Sequence, residues 1–98
     1  MSELEKIKSV LRKEKPFLSK RGVNTIGIFG SYVRGENNED SDIDILIDCN
    51  EDSNITLFSL IEMEMDLSEK LDHKVDLVIK SDLKPHLGKR ILSEVEYV

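Results

Sequence analysis

Two aspartates one residue apart, Asp42 and Asp44, stand at the head of an apolar run, Ile43-Asp44-Ile45-Leu46-Ile47. On a strand, side chains at i and i+2 share a face and lie about 6.6 Å apart. Asp42 and Asp44 are therefore expected to point one way, and Ile43, Ile45 and Ile47 the other way, into a core. Like charges side by side repel, and burying them is costly. Open water or a bound cation has to offset that cost. Two carboxylates at this spacing can grip one Mg²⁺, or share a pair of ions about 4 Å apart. Taken alone, the pattern equally describes an edge strand with one solvated polar face.

Two further features bear on that choice. Gly30-Ser31 follows the apolar run Val23 to Phe29. A glycine there lets the backbone approach a ligand, a helix opening after it aims free N–H groups at an anion, and Ser31 adds a hydroxyl donor. A triphosphate suits such a cradle; so does a plain strand-to-helix turn with no ligand. Asp76 sits in Lys74-Val75-Asp76-Leu77-Val78-Ile79, between Val75 and Leu77, which are expected to face the core. If that strand lies beside the Asp42 strand, Asp76 joins the cluster as a third carboxylate, and one of the three can then accept a proton from an attacking hydroxyl. By itself it is a lone solvated strand residue.

The elements that must position these residues are legible from periodicity. Leu4, Ile7, Val10 and Leu11 form one helical stripe, with Ser2 as N-cap and Glu5 three residues on. Pro16 is expected to kink or restart this helix, Phe17 and Leu18 to continue its apolar face, and Gly22 to stop it. Val23 to Phe29 reads as a strand, Ser31 to Gly35 as a short helix, and Glu36 to Ser41 as a polar loop turning at Asn37-Asn38. Ile43 to Cys49 is the second strand. Thr56 to Leu71 is a helix capped by Asn54 or Thr56, with Leu57, Leu60, Ile61, Leu67 and Leu71 at helical spacing. Lys74 to Ile79 is a third strand. Pro85 to Val95 is a last helix, its apolar face formed by Leu87, Ile91, Leu92 and Val95. The order α-β-α-β-α-β-α predicts an α/β (α+β) domain with helices packed on one small mixed sheet.

Residues 1–98 form a single expected domain, large enough to bury about 60–70% of the unfolded surface. Apolar residues make up 39% and charged residues 35%, which is a globular balance. The formal charge of −6 excludes a broad nucleic-acid surface, which needs a basic patch. It leaves room for a nucleotide, because a divalent metal reverses the local sign. Cys49 is the single cysteine, which precludes an intramolecular disulfide and suits the cytoplasm. The first fifteen residues alternate charged and apolar types, unlike a signal peptide, and no apolar run approaches the ~20 residues of a membrane span.

The features are more specific together than apart. Gly-Ser closes one strand, ten residues intervene, Asp-x-Asp opens the next, and a third aspartate stands on a later strand. Through Gly30 to Glu36, Ser41 to Ile47, Lys74 to Val78, and the tail from Leu83-Lys84-Pro85 to Arg90-Ile91-Leu92, the chain resembles the minimal nucleotidyltransferases of the DNA polymerase β superfamily. The likeness covers nearly everything from Val23 onward. It implies a mixed sheet flanked by helices, ATP with two Mg²⁺ ions, and transfer of AMP with loss of pyrophosphate. It also implies that Asp42, Asp44 and Asp76 bind the metals, that Asp76 is the candidate base, and that Gly30 and Ser31 hold the β- and γ-phosphates. Val33 departs from the small residue more usual there. Arg34 has three readings: a ligand of a nucleotide phosphate, a ligand of a carboxylate on a partner, or a surface arginine beside the acidic loop.

The remaining polar residues read as structural. Asp48 shares the Asp44 face but lies roughly 13 Å away. Glu36, Glu39 and Asp40 are expected to be solvated, and His73 and His86 have no ligand partners at metal spacing. Met63 and Met65 pack or sit exposed, and Cys49 is a small apolar filler.

Nothing in the sequence beyond the catalytic core is left to hold an acceptor. The resemblance implies that a partner supplies one: a small helical HEPN-type ribonuclease toxin, in a hetero-oligomer, neutralised by adenylylation of a tyrosine. Two alternatives remain: an antitoxin that masks its partner by contact alone, and AMP transfer to a small molecule.

Overall fold

The computed structural model of the chain describes residues 2–98. Ser2 opens the first helix, α1 (Glu3–Lys20), its hydroxyl accepting the Glu5 N–H at 3.1 Å. The expected break at Pro16 does not occur, and the helix runs unbroken through it. Pro16 and Arg12, whose carbonyl loses its partner, lie on the exposed side, where water can replace the missing bond. The stop is at Gly22, whose φ of 99° continues the chain while the N–H groups of Arg21 and Gly22 bond the last carbonyls of the helix.

Strand β1 (Val23–Phe29), the one-turn helix α2 (Ser31–Arg34) and strand β2 (Ile43–Cys49) follow. Helix α3 (Leu57–Leu71) is capped by Thr56, which exchanges hydrogen bonds with Ser59. Then come β3 (Val75–Ile79), a 3₁₀ turn at Lys80–Asp82, α4 (Pro85–Glu94) and a two-residue strand, β4 (Glu96–Tyr97). The turn and β4 are additions to the expected order. Two residues carry no alternation, so β4 has no sequence signal of its own.

The sheet order is β3-β2-β1-β4, with β2 and β3 parallel and the other pairs antiparallel. This is the mixed sheet that the sequence predicts. Register sorts its two faces. Ile43, Ile45 and Ile47 align with Val75, Leu77 and Ile79 of β3, while Ile28 and Ile26 of β1 oppose Ile45 and Ile47. With Leu11 and Ile7 of α1 and Met63 and Leu67 of α3, these residues make the main core. A register shift between Val23 and Thr25 lets Val23 and Ile26, three apart, both point inward.

The other face carries Phe29, Leu46 and Val78, covered by Ile91 of α4 in a smaller cluster. Two expected helix faces shift accordingly. On α3 the buried side is Met63 and Leu67, flanked by Leu60 and Leu71, while Leu57 and Ile61 point outward with Phe58 and Met65. On α4, Leu87 and Leu92 stay largely exposed. Phe17 is also outward, its ring 5.6 Å from the Lys70 ammonium. Lys70 in turn pairs with the buried Glu14, tying α3 to α1.

Strand β3 is an edge strand, and two of its outward N–H groups are taken by α3. Ser68 Oγ accepts from Val75 and Glu64 Oε2 accepts from Leu77, each at 3.0 Å. Among the described residues, no helix is long and apolar enough to cross a membrane.

Candidate active site

The parallel register of β2 and β3 sets Asp44 opposite Asp76, on the sheet face that α4 covers. The conditional expectation that the third aspartate joins the cluster is thereby met for this pair. Asp44 is half-buried and Asp76 exposed. Burial, then the neighbouring charges of Asp76 and Asp42, push the Asp44 carboxyl above its ordinary value, with Arg34 acting in the opposite sense.

The antiparallel register of β1 and β2 sets Phe29 opposite Asp44, so Gly30 turns away from the sheet beside that carboxylate. A methyl group at Gly30 would overlap Asp44 Oδ2 and come within 3.0 Å of its Cγ. With φ 83° and ψ −153°, Gly30 also adopts a backbone conformation almost restricted to glycine. Tyr32, buried in the main core with its ring edge-on to His73 at 6.0 Å, anchors α2. A single turn is too short to be stable alone, so this anchor fixes where Ser31 and Arg34 stand.

Asp42 precedes β2 and is less integrated. It is partly exposed and its carboxylate lies 3.8 Å from Lys74 Nζ. Among the described residues, no three His, Cys, Asp or Glu side chains converge as a complete ligand cluster. Asp44 and Asp76 nevertheless suit a hard divalent cation. Mg²⁺ commonly takes one or two protein carboxylates and completes its shell with substrate phosphate oxygens and water. A divalent charge also relieves the repulsion between them.

Asp44, Asp76 and Gly30 line a cleft of about 330 Å³ against α4. Arg34, Arg90 and Glu94 complete its polar wall, and Leu87 and Ile91 its apolar one. Leu87, Arg90, Ile91 and Glu94 recur at helical spacing, which brings them to one side of α4. The apolar members of that set are legible from hydrophobic periodicity and the polar ones are not; the three-residue step from Leu87 to Arg90 and the four-residue step on to Glu94 are the signal that places them.

Arg34 is an exposed residue, as its surface reading has it, but it is paired on two sides. Its Nη1 donates to both oxygens of Glu94 at 3.0 Å, and its Nε to Glu36 at 3.2 and 3.3 Å. Glu36, Glu39 and Asp40 are all exposed as expected, and Glu36 in addition accepts from Arg34. Asp48 stays out of the site and lines a separate polar cleft of about 750 Å³ with Gly22, Asn24 and Asp52.

A family model described as the nucleotidyltransferase domain matches residues 4–98, and the chain belongs to that family. It stands among the minimal members. It is 50% identical over its whole length to the protein adenylyltransferase MntA of Thermococcus cleftensis, covering 98% of that protein. It resembles a solved structure provisionally described as a minimal nucleotidyltransferase, at 30% identity and TM-score 0.73, covering 94% of this chain and 88% of that one. It also resembles a toxin–antitoxin structure with AMP-PNP, at 27% identity and TM-score 0.72, covering 99% of this chain and 72% of that one.

Proposed function

We propose that the protein transfers AMP from ATP, with Mg²⁺, to a tyrosine hydroxyl of a HEPN-type toxin partner, acting as the antitoxin of a cytoplasmic pair. The observation that carries this reading is the pairing of Asp44 with Asp76 beside Gly30 at the floor of one cleft. The names of the relatives support it: one is a protein adenylyltransferase, and another is a toxin–antitoxin structure holding an ATP analogue.

In this reading Gly30 and Ser31 hold the β- and γ-phosphates, and Arg34 supplies a further cation beside them. Asp42, Asp44 and Asp76 hold two Mg²⁺ ions, Asp42 after leaving Lys74. When bound, the metal neutralises the phosphate oxygens and stabilises the charge that develops in an in-line displacement. The tyrosine oxygen forms a bond to the α-phosphorus, the bond to pyrophosphate breaks, and Asp76 takes the hydroxyl proton. Asp76, the exposed member of the pair, is open to an acceptor from outside; the half-buried Asp44 is suited to holding rather than exchanging.

The test incubates the protein with its toxin partner, ATP and Mg²⁺, and follows the intact mass of the toxin. Added mass in units of AMP, lost with Asp44→Asn or Asp76→Asn in a folded protein, is the expected result. Full neutralisation of the toxin by the double variant without nucleotide favours masking by contact instead.

A further inference from the structure

Glu94, near the C-terminal end of α4, reaches back across the cleft. Its Oε1 accepts the Gly30 N–H at 3.1 Å, and both its oxygens accept from Arg34 at 3.0 Å. Its side chain is only 18% exposed. One carboxylate thus holds the backbone donor of the Gly-Ser turn and the guanidinium beside it, which are groups that an anion entering this cleft would use. Charge-assisted bonds of this kind are about twice as strong as neutral ones.

Glu94 also changes the sign of the cleft. Asp44, Asp76 and Glu94 face Arg34 and Arg90, three carboxylates against two guanidinium groups. Without the Glu94 charge the two sides balance. The carboxylate therefore opposes an incoming polyphosphate twice, by occupying its donors and by repelling its charge.

We propose that Glu94 is an internal competitor of the nucleotide's phosphates, holding Gly30 and Arg34 until a polyphosphate displaces it. This rests on the nucleotidyltransferase reading of the same cleft. The competitor sets a threshold: polyphosphates strong enough to outbid a bidentate carboxylate gain the site, and monophosphates do not. A residue that merely braced the turn would have the opposite signature, because its removal would loosen the donors and weaken binding.

The experiment measures binding of ATP, inorganic triphosphate and adenosine with Mg²⁺ by calorimetry, to the wild type and to Glu94→Gln. Glutamine keeps the shape and an acceptor for the Gly30 N–H but removes the charge. ATP and inorganic triphosphate are both expected to bind about tenfold more tightly to the variant, the scale of one charge-assisted hydrogen bond. Adenosine gains nothing. Wild-type binding of ATP with equal or weaker binding by the variant overturns the proposal. A wild type that binds no nucleotide at all overturns the nucleotidyltransferase reading beneath it. If Glu94→Gln does not fold, Arg34→Gln supplies the second arm. It frees the carboxylate, and triphosphate affinity must fall while adenosine is unaffected; unchanged triphosphate affinity overturns the proposal.

Discussion

Gly30 and Asp44 occupy adjoining space so closely that the glycine has no room for a side chain. Two separate costs therefore fall on Gly30→Ala: a strained backbone, of about 1 to 3 kcal/mol, and displacement of the Asp44 carboxylate. Urea unfolding is expected to register both, and nucleotide binding to be lost. Gly30→Ala combined with Asp44→Ala relieves the overlap, so the double variant is more stable than the two single losses imply. Additivity within about 0.5 kcal/mol would show that the contact carries no energy.

Asp44 gives the stability curve a definite sign. Its carboxyl is raised above its ordinary 3.8, first by burial and then by Asp76 and Asp42. Between the unfolded and the raised folded value, the folded protein binds more protons than the unfolded chain. Stability contributed by this group is fully present below 3.8 and falls as pH rises through the folded value. Asp44→Asn should remove that decline and melt higher than the wild type at pH 7, while being inactive in transfer. Thermal melts from pH 3 to 8 decide it; a lower melting point for the variant at pH 7 refutes the account.

Mg²⁺ should raise the melting temperature of the wild type, because a ligand that binds only the folded state stabilises it. The rise is expected to vanish in Asp44→Asn and Asp76→Asn. Lys74→Met, which releases Asp42 from its 3.8 Å contact, should bind Mg²⁺ at least as tightly as the wild type. Weaker binding by that variant would mean that Lys74 orients Asp42 rather than competing for it.

Helix α3 offers a contrast between its two sides. Met63 is buried among the main core residues, so Met63→Ala should cost about 2 to 5 kcal/mol. Phe58 is 80% exposed, and Phe58→Ser should change stability by no more than about 0.5 kcal/mol. Chemical denaturation of the two variants measures both. A large loss at Phe58 would place that ring in a packed environment.

Much of this was legible because the relevant signals are local. Ile43, Ile45 and Ile47 recur at every second residue of β2, so the strand and the direction of Asp44 follow from sequence, although Leu46, buried on the Asp44 face, interrupts the apolar-polar alternation. The cap at Ser2 and the stop at Gly22 are equally local. Features that depend on register between distant segments were not legible. The pairing of Asp44 with Asp76 was conditional on strand adjacency, and Glu94 is separated from Gly30 by 64 positions. Leu57 and Ile61 match the helical spacing of Leu60 and Leu67, yet they face outward, because periodicity groups residues without saying which group meets the sheet. Pro16 misleads for a related reason: its penalty depends on whether the orphaned carbonyl reaches solvent, which is a property of the fold.

The engagement of Val75 and Leu77 by Ser68 and Glu64 has a consequence for how this molecule can assemble. A stranger's backbone arriving along that rim finds those two amide hydrogens already spoken for, which weakens any ribbon of copies built there. Assembly on that side is thereby tilted toward side chains, whose shape and charge choose a companion more selectively than the indiscriminate chemistry of the peptide bond.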